Sequence, residues 1–294
     1  MSPSTRILLL GARGFVGSNL RTRLGRRPDY AIHAPSHDEL DALDEAAIVS
    51  VLRETSYDVV LNCLDRHAAT DSAYAEQRLR MYFNLAAHSD LFGKMIWFGS
   101  GAEYGRQLPV CSVSEGDFGR CVPADSYGFA LYQMSLHTLS SLNIYNLRLF
   151  GIFGEQEDWS RRFISNCICK ALYGYPLTLR QDRIMDYLDV ADLALLVERM
   201  IDGEPQGHTY NATSGRPVSL AAIAQTVLER TQREDLPIFV ARGGLSPEYT
   251  SINRAISDEL GGFTPRPLVE SVDRLILYYK EHLDEIDRER LLYP

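Results

Sequence analysis

The run Arg6-Ile7-Leu8-Leu9-Leu10, followed at once by Gly11-Ala12-Arg13-Gly14-Phe15-Val16-Gly17, constrains this chain more than any other segment. A short apolar run that ends in glycine reads as a strand buried on both faces, as in parallel sheets. Ser18 to Leu24 then has helical spacing. Glycine at 11 allows a tight turn, at 14 lets the backbone approach a pyrophosphate, and at 17 lets helix and strand pack closely. The helix start offers N–H donors and the positive end of its dipole to phosphates. Strand, loop and helix together predict a dinucleotide cradle built from Gly11, Arg13, Gly14, Phe15, Val16 and Gly17.

The pattern continues. Strands are predicted at Tyr30–His33, Asp58–Asn62, Met95–Phe98 and Tyr145–Phe150, with helices over 46–53, 74–88 and 126–142 between them. Such alternation implies right-handed βαβ units, hence an α/β fold with a Rossmann-type doubly wound parallel sheet. Asn62, at the end of its strand, is a further candidate cofactor contact. After Phe150 the pattern changes to helices over 159–173, within 186–200, and over 220–231 and 268–282, with short strands at 176–179, 208–211 and 238–240. We expect a dinucleotide-binding domain over 1–153 and a small mixed α/β substrate lobe over 154–294, with the chain free to cross back between them.

Composition excludes several function classes. The net charge is −9 and no Lys/Arg-rich run is present, which argues against nucleic acid as a partner. No apolar run approaches the roughly 18 residues of a membrane span, and the few residues before the first strand are too short for a signal sequence. The five cysteines have no paired CxxC spacing, so neither zinc nor a redox dithiol is expected, and reduced thiols in a cytoplasm are the simplest reading. The 30 basic residues comprise 27 arginines and only Lys94, Lys170 and Lys280. Any chemistry that needs lysine therefore has three candidates.

The spacing of the loop is GxxGxxG. With Asp38-Glu39-Leu40-Asp41-Ala42-Leu43-Asp44 it resembles the extended short-chain dehydrogenase/reductases, the NAD-dependent epimerase/dehydratase family, and in this half is most similar to the GDP-fucose synthases. The resemblance extends through Leu147 to Gly154, the RIMDYLDVAD stretch from Arg183 to Asp192, Tyr210-Asn211-Ala212, and Leu260 to Pro265. It implies an NAD or NADP cofactor, with Asp41 near the adenine. An alternative reading has Asp38 and Asp41 only capping the next helix. His33-Ala34-Pro35-Ser36-His37 after the second strand carries no acid to repel a 2′-phosphate, and Arg13 is placed to meet one, so the expectation leans to NADP.

The same resemblance assigns the chemistry. Phe98-Gly99-Ser100-Gly101-Ala102-Glu103-Tyr104-Gly105 matches the family's strand-end segment, with Ser100 as the hydroxyl that polarises the reacting oxygen. Asp125-Ser126-Tyr127-Gly128 carries the family's tyrosine at Tyr127, which also borders the cofactor. Four residues on, where the family has lysine, stands Leu131, and no residue from Ser126 to His137 is lysine or arginine. The lysine would lower the phenol pKa and hold the nicotinamide ribose. Its loss harms oxidation, which needs phenolate, more than reduction, which needs the protonated phenol. The family's active-site asparagine falls near Arg78 or Arg80. The specialised acid/base residues of epimerising and dehydrating members are replaced by Gly101 and Ala102, leaving Glu103 as a candidate substitute. Glu103, Asn166 and Arg183 are the expected substrate contacts, Asn166 and Arg183 toward a nucleotide diphosphate.

The expectation is an NAD(P)-dependent enzyme acting on a nucleotide-activated sugar, by preference reducing a 4-keto sugar, and forming a homodimer through helices 74–88 and 126–142. Two alternatives stay open: an epimerase or dehydratase with a non-standard base, and a degenerate protein that only binds dinucleotide.

Overall fold

The structure, a computed structural model, describes residues 4–65 and 71–292. In chain order the N-terminal part runs β1 (Thr5–Leu10), α1 (Phe15–Leu24), β2 (Tyr30–His33), α2 (Glu45–Glu54), β3 (Tyr57–Asn62), α3 (Asp71–Ala86) and β4 (Phe92–Ser100). Next come β5 (Val110–Val113), α4 (Ser126–Ser140), β6 (Ile144–Leu149) and β7 (Gly151–Phe153). The remainder is α5 (Phe163–Tyr173), β8 (Leu177–Asp182), β9 (Ile184–Met185), β10 (Tyr187–Asp189), α6 (Val190–Asp202), β11 (Thr209–Ala212), β12 (Val218–Ser219) and α7 (Leu220–Thr231), then β13 (Ile238–Leu245), β14 (Tyr249–Ser251), α8 (Arg254–Glu259), α9 (Leu268–Glu281) and α10 (Arg288–Leu292).

Six parallel strands form the main sheet, in the order β2-β1-β3-β4-β6-β11. From β1 the chain moves outward to β2, then returns to the other side of β1 as β3. The C-terminal ends of β1 and β3 thus diverge, and a crevice opens where open α/β sheets bind ligands.

Successive strand residues face opposite sides of the sheet and feed two cores. Ile7 and Leu9 pack with Leu20 and Leu24 of α1 against Leu193, Leu196, Val197 and Met200 of α6. Leu8, Leu10, Met95 and Trp97 pack against Ile48, Leu52, Tyr82, Leu85, Leu131 and Met134 of α2, α3 and α4. A third core, from α5, α7 and α9, fills the smaller lobe.

Two features of the second half position the site. The helix predicted within 186–200 begins at Val190, because Tyr187–Asp189 pairs with Gly151–Phe153 as strand. Asp189 then caps the helix by accepting from the Ala191 N–H at 2.8 Å. The chain also crosses back: α6 packs on α1, and β11 completes the main sheet beside β6. A cut at residue 153 therefore follows chain order and not space. The small sheet β12-β9-β14-β5 brings β14 to the mouth of the crevice. No helix among the described residues is long and apolar enough to cross a membrane.

Candidate active site

The glycine loop is shaped by close approach. Gly11 has φ +77°, and a Cβ there would lie 2.6 Å from the Cys63 carbonyl oxygen at the end of β3. A Cβ on Gly17 would lie 2.1 Å from the Gly11 carbonyl oxygen. Neither position tolerates a side chain. Gly14 caps α1 with no side-chain hydrogen bond to the helix start, and the first turn holds no acid. A phosphate is the complementary partner for such a terminus.

Two adjoining cavities flank this loop. One, of about 300 Å³, is walled by Arg13, Pro35, Ser36, His37 and Asp41. The other, of about 320 Å³, is walled by Phe15, Val16, Asn62, Arg78, Ser100 and Tyr127. Both include Gly11, Gly14, Leu64 and Asp65, so they form one cleft over the loop. Its glycine floor fits a dinucleotide, with Asp41 at one end and Ser100 and Tyr127 at the other. Asp41 accepts from the Leu43 N–H at 3.0 Å, while the cap of α2 is Asp44, which accepts from Ala47. The capping reading of Asp38 and Asp41 is thereby corrected. The Glu39 carboxylate, at the rim, accepts from the Ser36 N–H at 2.6 Å. That hydrogen bond, aided by the nearby Arg13 charge, holds Glu39 below the usual carboxylate range.

Ser100 ends β4 and caps the short helical turn Gly101–Tyr104. Its hydroxyl lies 3.3 Å from the hydroxyl of Tyr249 on β14. Tyr127 sits in the first turn of α4, whose cap Asp125 accepts from the Gly128 N–H at 2.8 Å. Burial pushes the Tyr127 phenol above the ordinary tyrosine range, while the Arg78 charge and a hydrogen bond with Ser100 oppose the rise. At neutral pH the group is a protonated acid.

Glu103 is not a substrate contact. Its side chain has no solvent exposure. Its carboxylate accepts from Arg148 Nε at 2.6 Å, Ser135 Oγ at 2.5 Å, Asn146 Nδ2 at 3.2 Å and the Ser100 N–H at 3.0 Å. The capping turn folds the carboxylate back under Ser100, where the buried arginine neutralises it. Asn166 is also placed away from the cleft walls: its amide donates to the carbonyls of Ser160 at 3.0 Å and Leu291 at 3.5 Å. Arg183 is nearer. Its Nε donates to the Pro247 carbonyl at 2.6 Å, and its guanidinium lies 5.1 Å from the centre of the Tyr249 ring.

Leu131 is fully buried, in the apolar cluster with Met81, Trp97 and Met134. The cleft's cations come from elsewhere. Arg78 reaches in from α3, and Arg162, at the start of α5, lines the same cavity. Arg106 lies 5.7 Å above the Tyr127 ring and pairs with Asp125 at 2.9 Å. Tyr249 and Arg106 carried no motif in the sequence. Arg148 lay inside a recognised segment, but nothing local marked it as the partner of Glu103.

Residues 7–213 match the family model described as the NAD dependent epimerase/dehydratase family. No curated protein sequence matches the chain. Among solved structures, the UDP-glucose 4-epimerase of Thermotoga maritima, crystallised with UDP-glucose, is 18% identical with a TM-score of 0.80, over 95% of this chain and 99% of its own. A GDP-L-fucose synthetase from Naegleria fowleri is 13% identical with a TM-score of 0.82, over 97% and 96%. A GDP-6-OMe-4-keto-L-xylo-heptose reductase from C. jejuni is 15% identical with a TM-score of 0.77, over 96% and 99%. These likenesses establish the fold. The family model spans well over half of the sequence, including the cleft's glycine floor, Ser100 and Tyr127, and this chain belongs to the NAD dependent epimerase/dehydratase family.

Proposed function

We propose that the protein is an NAD(P)-dependent reductase of a 4-keto sugar carried on a nucleoside diphosphate. The observation that carries this reading is Tyr127: a buried phenol held protonated beside Ser100, at the reacting end of a dinucleotide-shaped cleft. A bound reduced nicotinamide would supply hydride to the carbonyl carbon. Tyr127 donates its proton to the carbonyl oxygen, and Ser100 holds that oxygen as charge develops on it.

The site argues against the epimerase and dehydratase alternatives. A 4-epimerase must first oxidise its sugar, which needs Tyr127 as phenolate, and burial holds that phenol protonated. A dehydratase needs an additional acid or base, and the carboxylate nearest to Ser100 in sequence, Glu103, is locked to Arg148. Arg13 and Ser36 at the adenosine end, with no acid at the end of β2, support NADP over NAD. Arg183, with no carboxylate partner among the described residues, supports an anionic substrate. Five free thiols suit a reducing cytoplasm.

The test is oxidation of NADPH or NADH by the purified protein in the presence of GDP-, dTDP- and UDP-linked 4-keto-6-deoxy sugars. Turnover with at least one, lost about 100-fold or more in Tyr127→Phe with dinucleotide binding intact, is the expected result. Stoichiometric dinucleotide binding without turnover on any of them would favour the degenerate reading, which the uncharged Leu131 supports.

A further inference from the structure

Donating a proton leaves Tyr127 as a phenolate in a buried site, and the helix that carries it offers no positive charge. The guanidinium of Arg78 faces the same cavity from α3. Nη1 donates to the Leu64 carbonyl at 2.6 Å and Nη2 to the Phe98 carbonyl at 2.9 Å. One planar group thus ties the end of β4 to the segment that leaves β3, and both border the cleft. Only 9% of its side chain is exposed.

We propose that Arg78 takes over the electrostatic part of the missing lysine, as a positioning residue that acts through Tyr127. This rests on reading Tyr127 as the acid of a reductase. In that step the Tyr127 O–H bond breaks as an O–H bond forms on the substrate oxygen. The carbonyl carbon accepts a hydride, and the reduced nicotinamide is oxidised by two electrons. The phenolate faces Arg78 until solvent returns a proton to it.

Arg162 lines the same cavity, but Arg78 is the cation that acts on the phenol, and the remaining charges do not fill this role. Arg106 is 47% exposed and paired with Asp125, so solvent and its own partner screen it. Asp65 pairs with Arg78 at 3.1 Å but is 66% exposed, and water weakens its opposing effect. Glu103 is neutralised by Arg148. Tyr74, with its ring 5.8 Å from that of Tyr127, and Tyr249 are uncharged at neutral pH, since burial raises both phenols. A lysine at 78 would present a single ammonium, whereas the guanidinium fork serves two carbonyls at once and stays charged. The exchange also accounts for Leu131. Arg78 adjoins Met81, Trp97 and Met134 at the base of the cleft. With the charge entering from α3, position 131 is left to fill the core.

The test titrates Tyr127 in the cofactor-free protein. The chain is labelled with 3-fluorotyrosine and followed by fluorine NMR, and the Tyr127 signal is the one absent from Tyr127→Phe. Arg78→Met is expected to raise its midpoint by about one pH unit or more. Arg78→Lys should recover part of that shift, and Asp65→Asn should lower the midpoint. An unmoved midpoint in Arg78→Met overturns the proposal. If Arg78→Met does not fold, Arg78→Gln, which keeps an N–H donor for the two carbonyls and removes the charge, takes its place, and an unmoved midpoint there overturns the proposal equally. The readout needs no substrate, so failure of the reductase reading is seen separately, as absent turnover while Tyr127 still responds to position 78.

Discussion

Arg148 Nε lies 2.6 Å from Glu103 Oε2, and neither side chain is exposed to solvent. The pair sits beneath the turn that aims Ser100, because Glu103 Oε1 also accepts from the Ser100 N–H. A buried charge is costly unless it is paired and hydrogen-bonded, and here both conditions are met. The ion pair therefore holds the Ser100 turn in place. Arg148→Met strands the carboxylate and should destabilise the fold by about 3–5 kcal/mol in urea unfolding. A loss below about 1 kcal/mol would show that the pair is not closed in solution.

Leu131→Lys separates a decayed site from a rearranged one. The side chain at 131 is packed with Met81, Trp97 and Met134, so an ammonium there must be desolvated. We expect a loss of about 3 kcal/mol or more in stability and no gain in dinucleotide-dependent turnover. A large rise in turnover would mean that the family geometry is intact and lacks only its lysine.

Glu157 makes stability depend on pH. It is buried, its Oε1 accepts from Ser165 Oγ, and its Oε2 has no hydrogen-bond partner. Burial pushes its carboxyl up from 4.5 to about 8. Between those values the folded chain holds a proton that the unfolded chain has released. Stability therefore falls as pH rises from about 4.5 to about 8 and levels off above that. Melting temperatures across this range should decline in the wild type. Glu157→Gln, which needs no proton, should flatten the decline; equal slopes in the two proteins would refute the assignment.

The outer faces of α3 and α4 carry Phe83, Phe129, Leu136 and Leu139, all exposed. A second copy of the chain would cover them, and we expect a dimer in light scattering after size-exclusion chromatography. Leu136→Glu places a charge in that face and should yield monomer with unchanged melting temperature. A wild type that elutes as monomer at micromolar concentration would discard this interface.

By itself the sequence determined the main sheet and the glycine cradle, and its family resemblance pointed to Ser100 and Tyr127. The sheet and the cradle are periodic or local: alternating strands and helices declare the sheet, and Gly17 is required by a contact with Gly11 within one strand–turn–helix unit. The tertiary structure decided what stands around the pair. Glu103 looked free because nothing near it in sequence could neutralise it, and Arg148 arrives from a different strand. Arg78 lies on another helix from Tyr127, so no spacing could join them. The absence of lysine at 131 was legible as a loss of charge from one helix. Only the packing of α3 against α4 showed a buried cation entering the same cleft, because electrostatic partners are chosen by distance in space and not by separation along the chain.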